Sequence, residues 1–247
     1  MLPVFRKLRR SLLVNNKLGK YLVYAIGEIV LVVIGILIAL QVNKEVEAGK
    51  RYDLETDILH EIRAGLITDL SDIEYNIGAH QRIRESQLEV LKWLNREIPY
   101  TDTLDFHFTR LNNSTVFVSN DAPYESLKQI GIRLISNDSL RDKITTVYDL
   151  DFDYYKDHVV MYNDMVVRGW YDVNSHYFDG TRFLFNNPEN RMKPLDTIRI
   201  REENLFRHYV SSITEFNDFY VRRIMMRAKR GAEELIAMLD QEIAIRE

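Results

Sequence analysis

Residues 21–42 read YLVYAIGEIVLVVIGILIALQV, an apolar run that carries a single charge, Glu28. A helix rises about 1.5 Å per residue, so a run of this length crosses the roughly 30 Å hydrocarbon core of a bilayer. A secretory signal peptide is the competing interpretation, but its apolar region is shorter and ends in a small-x-small cleavage site. Ala39-Leu40-Gln41 offers no convincing site of that kind. We therefore predict that residues 21–42 form an uncleaved transmembrane helix.

The charges that flank this helix predict its orientation. Six basic residues and no acidic residue precede it: Arg6, Lys7, Arg9, Arg10, Lys17 and Lys20. Segments rich in Lys and Arg stay in the cytoplasm, so we expect residues 1–20 inside and the chain from residue 43 onward outside. Within this tail, Phe5, Leu8 and Leu12 share one helical face. The tail is predicted to be a basic amphipathic helix on anionic lipid, with a disordered basic tail as the alternative.

Glu28 is the most informative residue of the span. A carboxylate inside a membrane helix costs about 2.5–3.5 kcal/mol on insertion scales, so it usually has a partner or a function. Tyr24 lies one turn before Glu28 and can donate a hydrogen bond to it. Gly35 and Ala39 follow as a small-xxx-small pair that lets two helices approach closely. We predict that these four residues pack against another membrane helix. Glu28 then either holds an oligomer together or lies near headgroups, or it titrates or pairs with a cationic partner helix.

The chain beyond the span is acidic. Residues 43–247 contain 36 Asp and Glu against 27 Lys and Arg. Nucleic-acid binding requires a basic face, so nucleic acid is not an expected partner. The absence of Cys excludes disulfides, thiolate metal sites and Cys nucleophiles. The expected partners are the lipid bilayer and either further copies of the chain, as a homo-oligomer, or another membrane protein.

Apolar residues recur at helical spacing through most of residues 43–247. The pattern predicts a helix from the membrane to about residue 97, with an interruption near Gly49 or Gly78 left open. The other predicted helices cover residues 123–134, 140–170 and 201–245, with a cap at Asn137 and loops over 98–123 and 171–200. In the last helix, the residues predicted to face inward are Leu205, Tyr209, Ile213, Phe216, Tyr220, Ile224, Ala228, Leu235 and Leu239. The predicted fold class is all-α, an N-terminal transmembrane helix followed by an elongated antiparallel helical bundle or coiled coil over residues 43–247.

Motifs that carry chemistry are few. His60-Glu61 begins like a zinc-protease helix, but that site needs a second His one turn later, where this chain has Ala64. Phosphate-binding loops, nucleophile elbows and dinucleotide fingerprints are absent from the sequence. The acidic residues in Asp149-Leu150-Asp151-Phe152-Asp153 lack the Gly and distal Glu of a calcium loop, so we interpret them as a solvated helix face. We expect no enzyme activity, no cofactor and no metal site.

Residues 170–185 are denser in aromatic side chains than a solvated loop requires. The members of this group are Trp170, Tyr171, Tyr177, Phe178, Phe183 and Phe185. One interpretation is that they cap the core of the bundle. The other is that they form an exposed contact patch for a protein partner or a membrane surface.

Two blocks of sequence resemble a known family. The first comprises FRKLRR at 5–10, KYLVYAIGEI at 20–29 and VIGILIALQVN at 33–43; the second comprises YESLKQIG at 124–131 and LISNDSLR at 134–141. Together they are similar to a family of uncharacterised single-pass membrane proteins common in Bacteroidota. Members often continue Asn-Asn-Trp-Asn-Glu after the span, where this chain has Asn43-Lys44-Glu45-Val46-Glu47. The resemblance implies an inner-membrane protein that faces the periplasm, and it implies no reaction.

Three function classes are compatible with these features. The leading hypothesis is a membrane-anchored interaction or scaffold module in the periplasm. A second is a periplasmic sensor, which needs a separate partner because residues 1–20 are too short for an output domain. A third is an accessory component of a proton-driven envelope machine, which resembles stator-type subunits but carries Glu28 where those carry Asp.

Overall fold

A computed structural model of the chain describes residues 18–179 and 191–246. The chain divides into two compact units, Met1–Glu55 and Thr56–Glu247. The first helix, α1, covers Leu18–Leu94 without interruption. It ends close to the predicted position near residue 97, and both Gly49 and Gly78 lie inside it, so the interruption left open at those glycines does not occur.

Seven further α-helices follow in the described part of the chain: α2 Thr103–Arg110, α3 Ala122–Ile130, α4 Asp138–Thr146, α5 Asp153–Arg168, α6 Thr197–Glu202, α7 Asn204–Phe219 and α8 Met226–Arg246. The same residues include three π-helical segments, Val147–Phe152, Gly169–Val173 and Tyr220–Met225, and two short 3-10 turns, Ile132–Leu134 and Asn174–His176. The β-type pairing in this part of the chain is the isolated bridge between Phe178 and Pro194. The prediction of an all-α fold is confirmed for the described residues.

Local sequence explains where some of these helices begin. The side chain of Asn137 accepts a hydrogen bond from the backbone N–H of Leu140 at 3.2 Å, which is the predicted cap of α4. The prediction of a continuous loop over 98–123 is wrong for Thr103–Arg110, which forms α2. Leu104 and Phe108 lie one turn apart in α2 and are both buried, so tertiary packing stabilises a helix too short to form alone.

Contacts between α1 and the last two helices show their relative direction. As the residue number increases along α1, the number of the contacting residue in the last two helices decreases. Lys229 Nζ lies 2.7 Å from Glu74 Oε1, and Arg207 donates a hydrogen bond to the carbonyl oxygen of Leu94 at 2.7 Å. The segment from α4 to α5 contacts α8 and α7 in the same reversed order. The contacting pairs are Lys143–Glu234, Asp151–Arg227 and His158–Phe219. In the Thr56–Glu247 unit, α7 and α8 therefore run antiparallel both to α1 and to α4–α5.

The core of this unit is rich in aromatic rings. The largest side chains that are fully buried are Trp93, Tyr155, Tyr162, Tyr220, Phe108, Phe152 and Phe206. Tyr162 and Tyr220 stack with ring centroids 5.4 Å apart, which joins α5 to the π-helical segment that follows α7. Aromatic pairs of this kind contribute about 0.5–1.5 kcal/mol beyond their buried area.

One residue predicted to face inward in the last helix lies outside. Leu205 is 51% exposed, whereas its neighbour Phe206 is fully buried. The predicted single helix is broken at Glu203, whose backbone is extended. Because α7 begins anew at Asn204, its phase is set independently of α6, and Phe206 takes the inward position.

Candidate functional site

The apolar segment of α1 is largely exposed within the described structure. α1 contains the one described stretch that is long and apolar enough to cross a membrane; it lies near the N-terminus, and none of its most apolar window is buried. Large apolar side chains are exposed along the whole run, including Leu22, Val33 and Leu40. The length and composition of this stretch are compatible with membrane anchoring.

The residues predicted to pack against another membrane helix lie on this open segment. Tyr24 is exposed, Glu28 is half-buried, and Gly35 and Ala39 are exposed. A Cβ atom added to Gly35 would meet nothing within 4 Å. Among the described residues, Glu28 forms no hydrogen bond and no ion pair.

Polar pairs begin where the apolar run ends. Gln41 donates a side-chain hydrogen bond to Glu45 at 3.0 Å, and Asn43 donates one to Glu47 at 2.9 Å. Each pair spans four residues and therefore lies along one helix face. The change from apolar to paired polar side chains marks the end of the candidate span within α1.

A polar network lies inside the aromatic core of the Thr56–Glu247 unit. His80 Nδ1 lies 2.8 Å from Asn217 Oδ1, and the side-chain amide of Asn217 donates to the carbonyl oxygen of His80 and to Gln87 Oε1, both at 3.1 Å. His80, Gln87 and Asn217 are completely buried. Because both amide hydrogens of Asn217 are used, its oxygen accepts, and His80 carries its proton on Nδ1.

This environment keeps His80 neutral. Burial lowers the pKa of His80 to about 4, although the bond to Asn217 opposes the shift. The imidazole packs edge-on against the rings of Tyr162 and Tyr220, at centroid distances of 4.8 and 5.0 Å. The hydrogen bonds of His80 and Gln87 to Asn217 join α1 to α7 inside the core.

This network was not predicted from the sequence. His80 and Gln87 follow Ile73 and Ile77 along the buried stripe of α1. A polar residue within an apolar stripe indicates a buried hydrogen-bonding partner elsewhere, and that signal was present in the sequence. The partner Asn217 could not be identified from it, because its position depends on the antiparallel register.

A second polar cluster joins α1 to the loop between α2 and α3. The backbone N–H of Asn120 donates to Asp69 Oδ1 at 2.8 Å, and Asn76 donates to the carbonyl oxygen of Val116 at 2.9 Å. Asp69 is only 1% exposed. Burial, followed by the charge of Asp121, raises the pKa of Asp69 to about 6, although the Asn120 bond opposes the shift.

The interpretation of Asp149, Asp151 and Asp153 as a solvated face is wrong for Asp151. Asp151 is buried, and Arg227 donates to its Oδ1 at 2.6 Å. Gly231 leaves room for this carboxylate, because a Cβ at that position would collide with it. Asp149 accepts a hydrogen bond from the hydroxyl of Tyr124 at 2.7 Å. Asp149 and Asp151 therefore link helices within the unit.

The aromatic residues of segment 170–185 differ in their burial. Tyr177 and Phe178 are buried and pack against Phe206 at ring-centroid distances of 6.0 and 5.7 Å. Trp170 is partly buried against the core, and Tyr171 is 69% exposed. Phe183 and Phe185 lie outside the described residues. Within the described part of this group, Tyr177 and Phe178 take the capping role, and Tyr171 is left as an exposed ring.

Within residues 21–179 and 191–246, no three His, Cys, Asp or Glu side chains come together as a metal site. In the part of the chain that the structure describes, the fold and the exposed apolar segment define a class of protein: an all-α chain with one candidate membrane span and a helical unit built around an aromatic and polar core. Residues 28–186, more than half of the chain, match the family of unknown function DUF6090, and the chain belongs to this family. No curated protein and no solved structure matches the chain.

Proposed function

We propose that this protein is a membrane-anchored interaction or scaffold module. Residues 21–42 would span the bacterial inner membrane once, with residues 1–20 in the cytoplasm and residues 43–247 in the periplasm as a helical bundle. The observation that carries the proposal is the apolar segment of α1, none of which is buried in its most apolar window. Soluble proteins rarely expose contiguous apolar patches above a few hundred Å², and a bilayer is the cover whose thickness fits this length.

The anchor also supports contact with another membrane helix. A carboxylate in this position costs about 2.5–3.5 kcal/mol unless it finds a partner, and Glu28 finds none among the described residues. Gly35 and Ala39 leave space for a second backbone to approach. The partner would be a second copy of this chain or another membrane protein, held in place by a hydrogen bond or ion pair to Glu28.

The proposed topology has a direct test, because the chain contains no Cys. Single-cysteine variants Ser11→Cys and Ser126→Cys would be treated with a membrane-impermeant maleimide in spheroplasts. Ser126 is exposed on α3, so Ser126→Cys should be labelled at once and Ser11→Cys only after lysis. Labelling of Ser11→Cys in intact spheroplasts would contradict the proposed orientation.

The contact role of Glu28 has a matched test. Glu28→Gln and Glu47→Gln each remove one negative charge from α1, but Glu47 lies beyond the apolar run. We expect Glu28→Gln to reduce the size of the complex extracted in mild detergent and Glu47→Gln to leave it unchanged. Mass spectrometry of the purified complex would identify the partner. If Glu28→Gln leaves both complex size and phenotype unchanged, neither an oligomer-holding role nor a proton-binding role for Glu28 survives.

A second candidate function rests on the same unpaired carboxylate. An ionisable residue inside a span also marks proton pathways, so Glu28 would serve an accessory component of a proton-driven envelope machine. Glu28→Asp separates the two functions. It preserves a titratable group and should retain activity in a proton-driven machine, whereas a contact fitted to the longer side chain should weaken.

A further inference from the structure

The exposed face of α1 continues beyond the apolar run. Every residue from 31 to 54 is exposed. Val42 is 54% and Val46 is 51% exposed, and a Cβ atom added to Gly49 would meet nothing within 4 Å. Most residues among them are charged or carry a side-chain amide, as in Asn43-Lys44-Glu45. A narrow apolar face therefore extends out of the candidate span and lies open in the described structure.

This apolar face follows a heptad spacing. Alternate steps of four and three residues connect Val42, Val46 and Gly49, and the same steps continue backwards through the span. We call the full set the heptad face; its members are Ala25, Glu28, Val32, Gly35, Ala39, Val42, Val46 and Gly49. A repeat of 3.5 residues keeps one face of a helix turned toward a partner helix over several turns. The heptad face therefore extends the proposed membrane contact into the chain beyond the span.

The side chains of the heptad face favour a close pair of helices. Val32 and Val46 occupy a positions of the repeat, where β-branched residues favour two-stranded parallel coiled coils. Gly35 and Gly49 occupy d positions, and small residues let two backbones approach closely within a membrane. All Leu and Ile residues of 21–42 lie at the other positions, where they face lipid in the proposed topology. The heptad face is therefore the side of the span that is shaped for contact with a helix.

Two charged side chains flank the heptad face beyond the span. Glu45 precedes Val46 at a g position of the repeat, and Lys50 lies at the next e position. In a parallel helix pair, a g residue of one helix lies beside the e residue five positions later in the other, and such ion pairs select partner and orientation. Glu45 of each copy would therefore face Lys50 of the other. Gln41 donates to Oε1 of Glu45, which leaves Oε2 available, and Lys50 has no acidic partner among the described residues.

We propose that two copies of this chain pair in parallel and in register along the heptad face. The inference rests on the proposed function, because it requires residues 21–42 to span the membrane, and it names the partner as a second copy. The basic residues of 1–20 give every copy the same orientation, so two copies in one membrane pair in parallel. That arrangement is the one in which Glu45 and Lys50 form two ion pairs across the interface.

The pairing also supplies a partner for Glu28. In a parallel pair that is in register, the two Glu28 side chains lie at the same depth and at facing d positions. One proton shared between the two carboxyl groups gives a charge-assisted hydrogen bond, which is about twice as strong as a bond between neutral groups. The cost of a carboxylate inside the membrane is reduced, because the two copies carry one charge between them.

The first test is disulfide crosslinking of the full chain in native membranes, because the chain contains no Cys. Val46→Cys places a thiol on the heptad face, and Lys44→Cys places one on the outer side of the same turn. Facing a positions are close enough for a disulfide, whose Cα atoms lie about 4.4–6.8 Å apart. We expect a mild oxidant to convert Val46→Cys into a covalent dimer and to leave Lys44→Cys monomeric. Equal yields, no dimer in Val46→Cys, or a product that contains another protein would overturn the pairing.

The second test reverses the flanking charges. Glu45→Lys alone or Lys50→Glu alone creates two like-charge pairs per dimer and should weaken self-association by about tenfold. The double variant restores opposite charges and should recover the affinity of the wild type. Glu47→Lys is the control, because position 47 lies on the outer side of the helix pair. Dilution with empty detergent micelles measures the dissociation constant, and a double variant no tighter than the single variants would refute the register.

The third test concerns the part of the heptad face inside the span. Gly35→Leu adds bulk on this face, whereas Gly27→Leu adds the same bulk about a quarter turn away; a Cβ at either glycine meets nothing within 4 Å in the single chain. In the Val46→Cys background, Gly35→Leu should lower the dimer yield and Gly27→Leu should not. Equal effects of the two substitutions would contradict the interface.

Failure of the pairing is distinguishable from failure of the membrane placement. The labelling of Ser11→Cys and Ser126→Cys reports topology without any contact between copies. Expected labelling without a dimer in Val46→Cys would overturn the pairing and leave the proposed anchor in place. Labelling in the opposite sense would overturn the topology and, with it, the parallel pair.

Discussion

Lowering the pH from 6.5 to 4 should act on the Thr56–Glu247 unit through two buried groups with opposite effects. Burial lowers the pKa of His80 from 6.5 to about 4. Within that window the unfolded chain binds a proton that the native state excludes. The stability contributed by neutral His80 is therefore present above pH 6.5 and is lost as the pH falls toward 4.

Asp69 has the reverse effect. Burial raises its pKa from 3.8 to about 6, so in that window the native state binds a proton that the unfolded chain does not. The stability contributed by protonated Asp69 is present below pH 3.8 and is lost as the pH rises through 6. Because a tenfold change in proton affinity corresponds to about 1.4 kcal/mol, each group contributes about 3 kcal/mol. The signs are opposite, so the two contributions nearly cancel in the wild type.

Single substitutions should expose each contribution. Asp69→Asn retains a hydrogen-bond acceptor, and His80→Gln retains a donor for Asn217. The free energy of unfolding is compared with that of the wild type as the pH falls from 6.5 to 4. It should decrease by about 3 kcal/mol in Asp69→Asn and increase by about 3 kcal/mol in His80→Gln. The assay is urea unfolding of the full chain in detergent with a chelator present, followed by the fluorescence of its two tryptophans.

The control is Glu61→Gln, which removes an exposed carboxylate from the same helix. Its curve should run parallel to that of the wild type. If the Asp69→Asn curve is also parallel to the wild type between pH 4 and 6, the ionisation of Asp69 is not coupled to folding. The argument from burial would then be wrong for this residue.

Three other changes test packing within the same unit. A Cβ at Gly169 would overlap the buried ring of Tyr209, so Gly169→Ala should lower the free energy of unfolding by about 1–3 kcal/mol. A Cβ at Gly78 would face the flexible side chain of an arginine, so Gly78→Ala should stabilise α1 by about 1 kcal/mol. The melting temperatures of the two variants should therefore shift in opposite directions. Asn217→Ala leaves its buried partners unpaired and should cost about 3 kcal/mol in urea unfolding, and a loss below about 1 kcal/mol would contradict the network. Arg207→Ala removes bonds that cap the end of α1 and should cost about 1–2 kcal/mol, seen as faster amide exchange in the last turn of α1.

Sequence patterns predicted the helices well where one apolar stripe continued without a break. α1 and the α4–α5 region follow such stripes, and Asn137 is a local cap that needs no tertiary information. α2 was missed because its stability comes from burying Leu104 and Phe108, which depends on neighbours distant in sequence. Tertiary packing overrides weak local preference in short helices.

The π-helical segments explain the wrong interpretation of the acidic run. A π turn contains an extra residue and rotates the side chains that follow it. In Val147–Phe152 this rotation places Asp151 inside and leaves Leu150 55% exposed. A regular helical periodicity predicts the opposite. Spacing within one helix also could not predict the buried network. The position of Asn217 opposite His80 depends on the antiparallel register of two helices.

Polar groups that the protein satisfies internally need no external explanation, whereas those left unsatisfied do. Asn217 uses its oxygen and both amide hydrogens within the core, and Asp151 is paired with Arg227. These groups specify the fold. Glu28 has no partner among the described residues, and the second oxygen of Asp69 is buried without one. Under this criterion Asn217 and Asp151 argue for structure, while an apolar helix with an unpaired carboxylate argues for a membrane partner.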